Sequence, residues 1–142
     1  MRALEISRTG LDVEWQRLQV IAQNLANVNT SRTASGDHYR PMRLVSGPRS
    51  SFAERLSGSR APAPPQGVTV LGVEAMATGE RRVHEPDHPH ADAAGFVTYP
   101  AIDHAGEMTL LIQTSRAYEA NLTAMSIAHQ MYARAMQLGR QS

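Results

Sequence analysis

His88-Pro89-His90-Ala91-Asp92 sets two imidazoles and a carboxylate at alternate positions, H-x-H-x-D. On an extended backbone, alternation aims both rings to one side, the way zinc hydrolases hold one metal with two histidines and use an Asp for a second. A small zinc-dependent hydrolase using His88, His90 and Asp92 is therefore one reading of the chain. Against it, Ala93 and Ala94 follow where a third imidazole is needed, Pro89 separates the two ligands, and little chain remains for such an enzyme. His38, His84, His104 and His129 show no ligand spacing. The competing reading is a turn fixed by Pro86 and Pro89. Other chemistry finds no residues. There is no cysteine, no G-x-S-x-G, no G-x-x-x-x-G-K and no G-x-G-x-x-G. Nothing in the sequence points to an enzyme, and no cofactor is expected.

The bulk properties agree. The 142 residues are one domain's worth of chain, and 14 basic against 13 acidic residues leave a net charge of +1. That excludes a nucleic-acid binder working by bulk charge. Every basic residue is arginine, which reflects base composition of the coding sequence better than a phosphate-binding role. Without cysteine there are no disulfides and no thiolate metal sites. Seven aromatic residues stand beside seven methionines, a balance that suits helix seams better than a ring-filled core. Residues 1–30 hold no apolar run of the roughly seven residues a secretory signal needs. No stretch approaches the roughly 18 apolar residues of a membrane span.

The elements that would carry a function lie at the two ends. Residues 3–29 predict a helix, with Leu4, Leu11, Leu18 and Leu25 in a row spaced by seven. A second row, Ile6, Val13 and Val20, falls about 160° round the helix. Two opposed stripes call for two partners. Gly10 interrupts this helix at a cost of about 0.5–1 kcal/mol relative to alanine. Asn24, Asn27 and Asn29-Thr30 close it, either as polar termination or as a buried cluster fixing helix register. Residues 106–138 predict a second helix, a rod of roughly 50 Å, with Asp103 as N-cap and Gly139 as its stop. Its rows are Met108, Ser115, Leu122, His129, Met136; then Leu111, Tyr118, Met125, Tyr132; and, away from these, Leu110, Ala117, Ala124, Met131, Leu138.

The middle differs in kind. From Ser46 to Gly67, twelve of 22 residues are Ser, Gly or Pro, the composition of a loop. Residues 31–66 carry six arginines against Asp37 and Glu54, a solvated basic stretch by default. Val68–Val73 and Phe96–Tyr99 read as short strands around a polar segment, Glu80–Ala94. The expected fold is mainly α: long N- and C-terminal helices pairing as a coiled-coil hairpin, with a small β/loop region between them. The divisions are 1–32, an N-terminal helix; 33–100, the β/loop region with its loop 46–67; and 101–142, a C-terminal helix.

Ala3-Leu4-Glu5-Ile6-Ser7, Gly10-Leu11 and then Gln16 through Thr30, with Ala22-Gln23-Asn24-Leu25-Ala26-Asn27 at its centre, resemble the N-terminal signature of flagellar rod, hook and hook-associated proteins. Tyr39-Arg40-Pro41, the run from His84 to Pro100, Gly106-Glu107-Met108 and Ser115 through Asn121 narrow the resemblance to proximal-rod proteins of that family. Tyr99-Pro100-Ala101 and His84 depart from the family pattern. The resemblance implies a structural subunit whose two terminal helices come together and stack into the torque-transmitting rod. It implies as partners further copies of the chain, the other rod proteins (FlgB, FlgF, FlgG and FliE) and the flagellar type III export apparatus, with no nucleic acid and no small-molecule substrate. It implies a place in the periplasmic rod, reached without a cleaved signal peptide. Under this reading Leu4, Leu11, Leu18 and Leu25 pack on Leu111, Tyr118, Met125 and Tyr132 within a subunit. Ile6, Val13 and Val20, with Leu110, Ala117, Ala124, Met131 and Leu138, face neighbouring subunits. A helical-hairpin adaptor outside the flagellum is the other alternative.

Overall fold

Helices form at both ends of the chain, where apolar residues recur at helical spacing. A computed structural model describes residues 2–50 and 65–139. Helix α1 is Arg2–Ala26 and helix α2 is His104–Leu138. Between them lie β1 (Met42–Pro48), β2 (Val68–Ala75), β3 (Glu80–His84) and β4 (Phe96–Pro100). β1 pairs with β2 and β3 with β4, each pair an antiparallel two-stranded sheet. The protein is mainly helical with a small β region between its helices. The greater part of the expected Ser/Pro loop, 51–64, lies outside the described residues.

Local chemistry sets the helix ends. The Asn27 amide donates to the Gln23 carbonyl at 2.8 Å and its oxygen accepts from the Thr30 hydroxyl at 3.0 Å. Those bonds compete with helical continuation, and α1 stops at Ala26, three residues before the expected end. Asp103 occupies the N-cap of α2, but its side chain makes no capping hydrogen bond. Gly139 ends α2 with a right-handed backbone, so its freedom to adopt positive φ is not used.

Helix α1 packs against both α2 and the β1–β2 hairpin. Three contacts give the helix direction. Gly10 lies at Asn121, the Trp15 ring sits 6.3 Å from the Tyr118 ring, and Asn24 reaches Glu107. Low numbers on α1 meet high numbers on α2, so the helices run antiparallel. Gly10 is a point of close approach: a Cβ there would lie 2.8–2.9 Å from the Asn121 amide group. The position expected to be a flaw in the helix is what lets α2 come near. α2 is longer than α1, and its last turns, residues 129–138, are exposed throughout.

The β1–β2 hairpin corrects one expectation directly. Val13 and Val20 do not wait for neighbouring subunits. They are buried inside the chain with Leu44, and Met42 and Val70 pack against them. Ile6, at the start of the same row, is half-buried. The cause is a strand absent from the sequence-based assignment. In β1, Met42 and Leu44 alternate with Arg43, which turns both apolar side chains to one face. A two-stranded hairpin cannot stand alone in water, and the Val13/Val20 stripe supplies the surface it needs. Val45 pairs with Gly72 and Ser46 with Val70, so Leu71 is an extra, bulged residue that bends the hairpin.

Candidate functional site

Asn24 is 0% exposed, and a buried amide must have all its hydrogen bonds made inside the protein. They are made. Nδ2 donates to the Met42 carbonyl at 2.9 Å and to Glu107 Oε2 at 3.1 Å. Oδ1 accepts from the Met42 N–H at 2.9 Å and the Tyr39 hydroxyl at 3.0 Å. That uses both donors and both lone pairs of the amide. Glu107, 5% exposed, accepts at its other oxygen from Arg43 Nη2 at 2.9 Å. It stands in the first turn of α2, where the helix N-terminus favours negative charge. One network thus ties α1, α2 and β1. Burial, and then the nearby Glu107 carboxylate, push the Tyr39 hydroxyl pKa above its ordinary value. Of the two readings of the asparagine cluster, Asn24 takes the buried one and Asn27 the terminating one.

The H-x-H-x-D segment forms the connection from β3 to β4. His88 N–H donates to the Glu85 carbonyl, Ala91 N–H to the His88 carbonyl and Gly95 N–H to the Asp92 carbonyl. Gly95 takes φ of +77°, a left-handed backbone that favours glycine. The Asp92 carboxylate accepts from the Ala94 and Phe96 N–H groups, each at 2.9 Å, and pairs with Arg82. The Phe96 amide bond first, then those of Ala94 and Arg82, hold its pKa below the usual aspartate value. His88 Nδ1 accepts from the His90 N–H, and His90 Nδ1 lies 2.8 Å from Ser31 Oγ. These donors are committed to shaping the turn and docking it behind α1. Among the described residues, no three His, Cys, Asp or Glu side chains converge as metal ligands. The zinc reading is corrected accordingly: Asp92 caps backbone amides, and only the two histidine rings, 5.3 Å apart, come together.

The surface shows what remains. Leu4, Leu11, Leu18 and Leu25 are half-buried, as are Leu111, Tyr118 and Met125, while Tyr132 is exposed. Leu4 lines a shallow hollow with Leu122, Met125 and His129. Of the outer row, Leu110 and Ala117 are half-buried and Ala124, Met131 and Leu138 are exposed. Met131 and Leu138 are 67% and 70% exposed, with Met136 and Tyr132 bare beside them. This apolar surface has no partner within the described residues. The α2 row that lies on α1 is a polar row that hydrophobic patterning missed: it contains Glu107 and Thr114, both buried, and Asn121, which stands at Gly10. Its signal in the sequence was the seven-residue spacing itself.

Residues 93–138 match the family described as flagellar basal body rod FlgEFG protein C-terminal. The chain is 32% identical over 148 aligned positions to the flagellar basal-body rod protein FlgC of Borreliella burgdorferi, covering 94% of this chain and 93% of that protein. The chain belongs to the FlgC family of flagellar basal-body rod proteins. FlgC of Escherichia coli is 31% identical over 140 positions, covering 99% of this chain and 98% of that one. FlgC of Bacillus subtilis is 31% identical over 147 positions, covering 97% of each. As a FlgC-family member the chain is a structural subunit of the bacterial flagellar basal-body rod and serves cell motility. The relatives are rod proteins, in keeping with a surface built for contact. No helix of the described residues is long and apolar enough to cross a membrane.

Proposed function

We propose that the chain polymerises through its terminal helices to form part of the proximal rod, the axial shaft that carries torque outward. The observation that carries this reading is the bare apolar end of α2, where Met131 and Leu138 are two-thirds exposed or more. Soluble monomers rarely leave such residues grouped in water unless another surface covers them. α1 and α2 pair as a coiled-coil hairpin, with Leu4, Leu11, Leu18 and Leu25 toward Leu111, Tyr118 and Met125, while Tyr132 lies beyond the start of α1. Leu110, Ala117, Ala124, Met131 and Leu138 meet neighbouring subunits. Alanines at two of these positions permit close helix approach. Contacts of this kind, each modest and many along a rod, share a twisting load without one weak joint.

The partners in this reading are further copies of the chain and the rod proteins FlgB, FlgF, FlgG and FliE. The chain reaches the periplasm through the flagellar type III export apparatus, without a cleaved signal peptide. The absence of cysteine suits an oxidising compartment, since no stray cross-link can form. The small buried core, centred on Val13, Val20 and Leu44, suits a chain that must pass a narrow channel unfolded. The role is mechanical and not enzymatic. Deleting the gene is expected to stop rod assembly and swimming, and restoring the chain to return both. Complete basal bodies in the deleted strain would overturn the proposal.

A further inference from the structure

The apolar rows that flank the helix contact do not by themselves fix where α2 sits along α1. Leu4, Leu11, Leu18 and Leu25 repeat every seven residues, and so do Leu111, Tyr118, Met125 and Tyr132. A slide of one heptad therefore brings row against row again. It does not run off the end either, because α2 has 35 residues and α1 has 25. One such slide keeps the whole of α1 paired. Moving Asn24 from Glu107 to the level of Thr114 would carry Gly10 to the level of Ala128. It would draw about 10 Å of the exposed α2 end, with Tyr132, alongside α1 and leave a like length at the start of α2, with Leu110 and Leu111, beyond Ala26. The apolar surface gained at one end of α2 is matched by that lost at the other, so burial alone does not choose between the two registers.

The polar network opposes this slide. Asn24 and Glu107 meet in one register only, and Asn24 is held at the same time by Tyr39 and Met42, Glu107 by Arg43. After a slide, Glu107 would pass beyond Ala26, the last residue of α1, and Asn24 would face a threonine. A fully buried amide and a buried carboxylate would each lose a partner. We propose that Asn24 and Glu107, anchored through Arg43 and Met42 of β1, are positioning residues that set the axial register of α2 on α1 and so the length of apolar helix left for the next subunit. The use of that length rests on the assembly reading above; the register itself does not.

The chain has no cysteine, so disulfide mapping starts from a clean background. In the full chain, the pair Gly10→Cys/Asn121→Cys reports the observed register, and Gly10→Cys/Ala128→Cys reports the slide. Under mild oxidation the first pair is expected to cross-link and the second to remain reduced. Adding Asn24→Leu and Glu107→Leu is expected to raise the second cross-link relative to the first by about tenfold or more. Asn27→Leu, outside the network, is expected to leave the ratio unchanged. If the double variant loses its helical circular dichroism, Glu107→Leu alone, which keeps the Asn24 bonds to Tyr39 and Met42, gives the same comparison. An unchanged ratio in the helical variants overturns the proposal, and so does failure of the first pair to cross-link in the otherwise unaltered chain. Loss of helix in both network variants, with no slid cross-link in either, assigns the network to stability alone and also overturns it. Because the readout is on purified chain, failed rod assembly with an intact register result would count against the assembly reading and not against this one.

Discussion

Val13 of α1 and Leu44 of β1 are buried against one another within a single chain. The hairpin therefore takes the stripe of α1 opposite its leucines, and the exposed large apolar side chains lie chiefly on α2. Leu44→Ala is expected to destabilise the chain by about 2–5 kcal/mol, the cost of a buried leucine truncation with its cavity. Urea titration followed by circular dichroism reads this. Val13→Asp is expected to do worse, by burying an unpaired carboxylate. A Val13→Asp chain as stable as the parent would show the stripe to be open.

Gly10 and Asn121 form a close approach of the helices. Gly10→Ala sets a helix-propensity gain of up to about 1 kcal/mol against a clash with the Asn121 amide. That amide is not free to swing, since Nδ2 donates to the Ala117 carbonyl at 3.0 Å. The expected net effect is destabilising. In an Asn121→Ala background the same Gly10→Ala change is expected to stabilise by about 0.5–1 kcal/mol. The four chains of this double-mutant cycle, compared by thermal melting, decide it by the change of sign.

Both helices were legible in the sequence because their apolar residues keep a seven-residue spacing, and β2 and β4 because they are runs of β-branched and aromatic residues. β1 was not. Met42-Arg43-Leu44-Val45-Ser46-Gly47-Pro48 stands next to a Ser/Pro-rich stretch, and only two of its residues make the buried face. β3 was hidden likewise, since Glu80-Arg81-Arg82-Val83-His84 is polar and joins its sheet only through β4. The rows of α2 misled for a different reason. Met108, Leu122 and Met136 are apolar and exposed, while the row lying on α1 contains Glu107, Thr114 and Asn121. Polarity patterns find surfaces that exclude water; they do not find a seam held by hydrogen bonds.

Two tyrosines should titrate late. Burial pushes Tyr39 above its ordinary value of 10.0, and the hydrogen bond to Glu85 does the same for Tyr99. A raised value means the folded state holds the proton more tightly. The stabilisation is complete below pH about 10 and is lost as pH rises through the folded values. Ultraviolet absorbance titration is expected to show Tyr39 and Tyr99 ionising above the ordinary tyrosine value of 10.0. Glu85→Gln is expected to lower the Tyr99 value, and an unchanged titration curve would contradict the assignment.

Asp92 works in the opposite direction. Its carboxyl is held below the ordinary aspartate value of 3.8, chiefly by the Phe96 amide. Its contribution is present above that value and fades as pH falls through the lower, folded one. The β3–β4 turn is expected to remain formed at pH about 4, near the ordinary aspartate value. Asp92→Ala is expected to loosen it at every pH, read as faster hydrogen exchange at Ala94 and Phe96. Chelators are expected to change neither, since two rings and a committed carboxylate do not make a zinc site.

In the proposed assembly the bare end of α2 is the joint between subunits, and Met131→Asp/Leu138→Asp puts two charges into that joint. Both side chains are exposed in the single chain, so the variant is expected to fold with unchanged circular dichroism and to be exported. Basal bodies purified from cells carrying it are expected to lack the chain and everything assembled beyond it, and the cells not to swim. Swimming cells whose basal bodies contain the variant at the parent level would contradict the account.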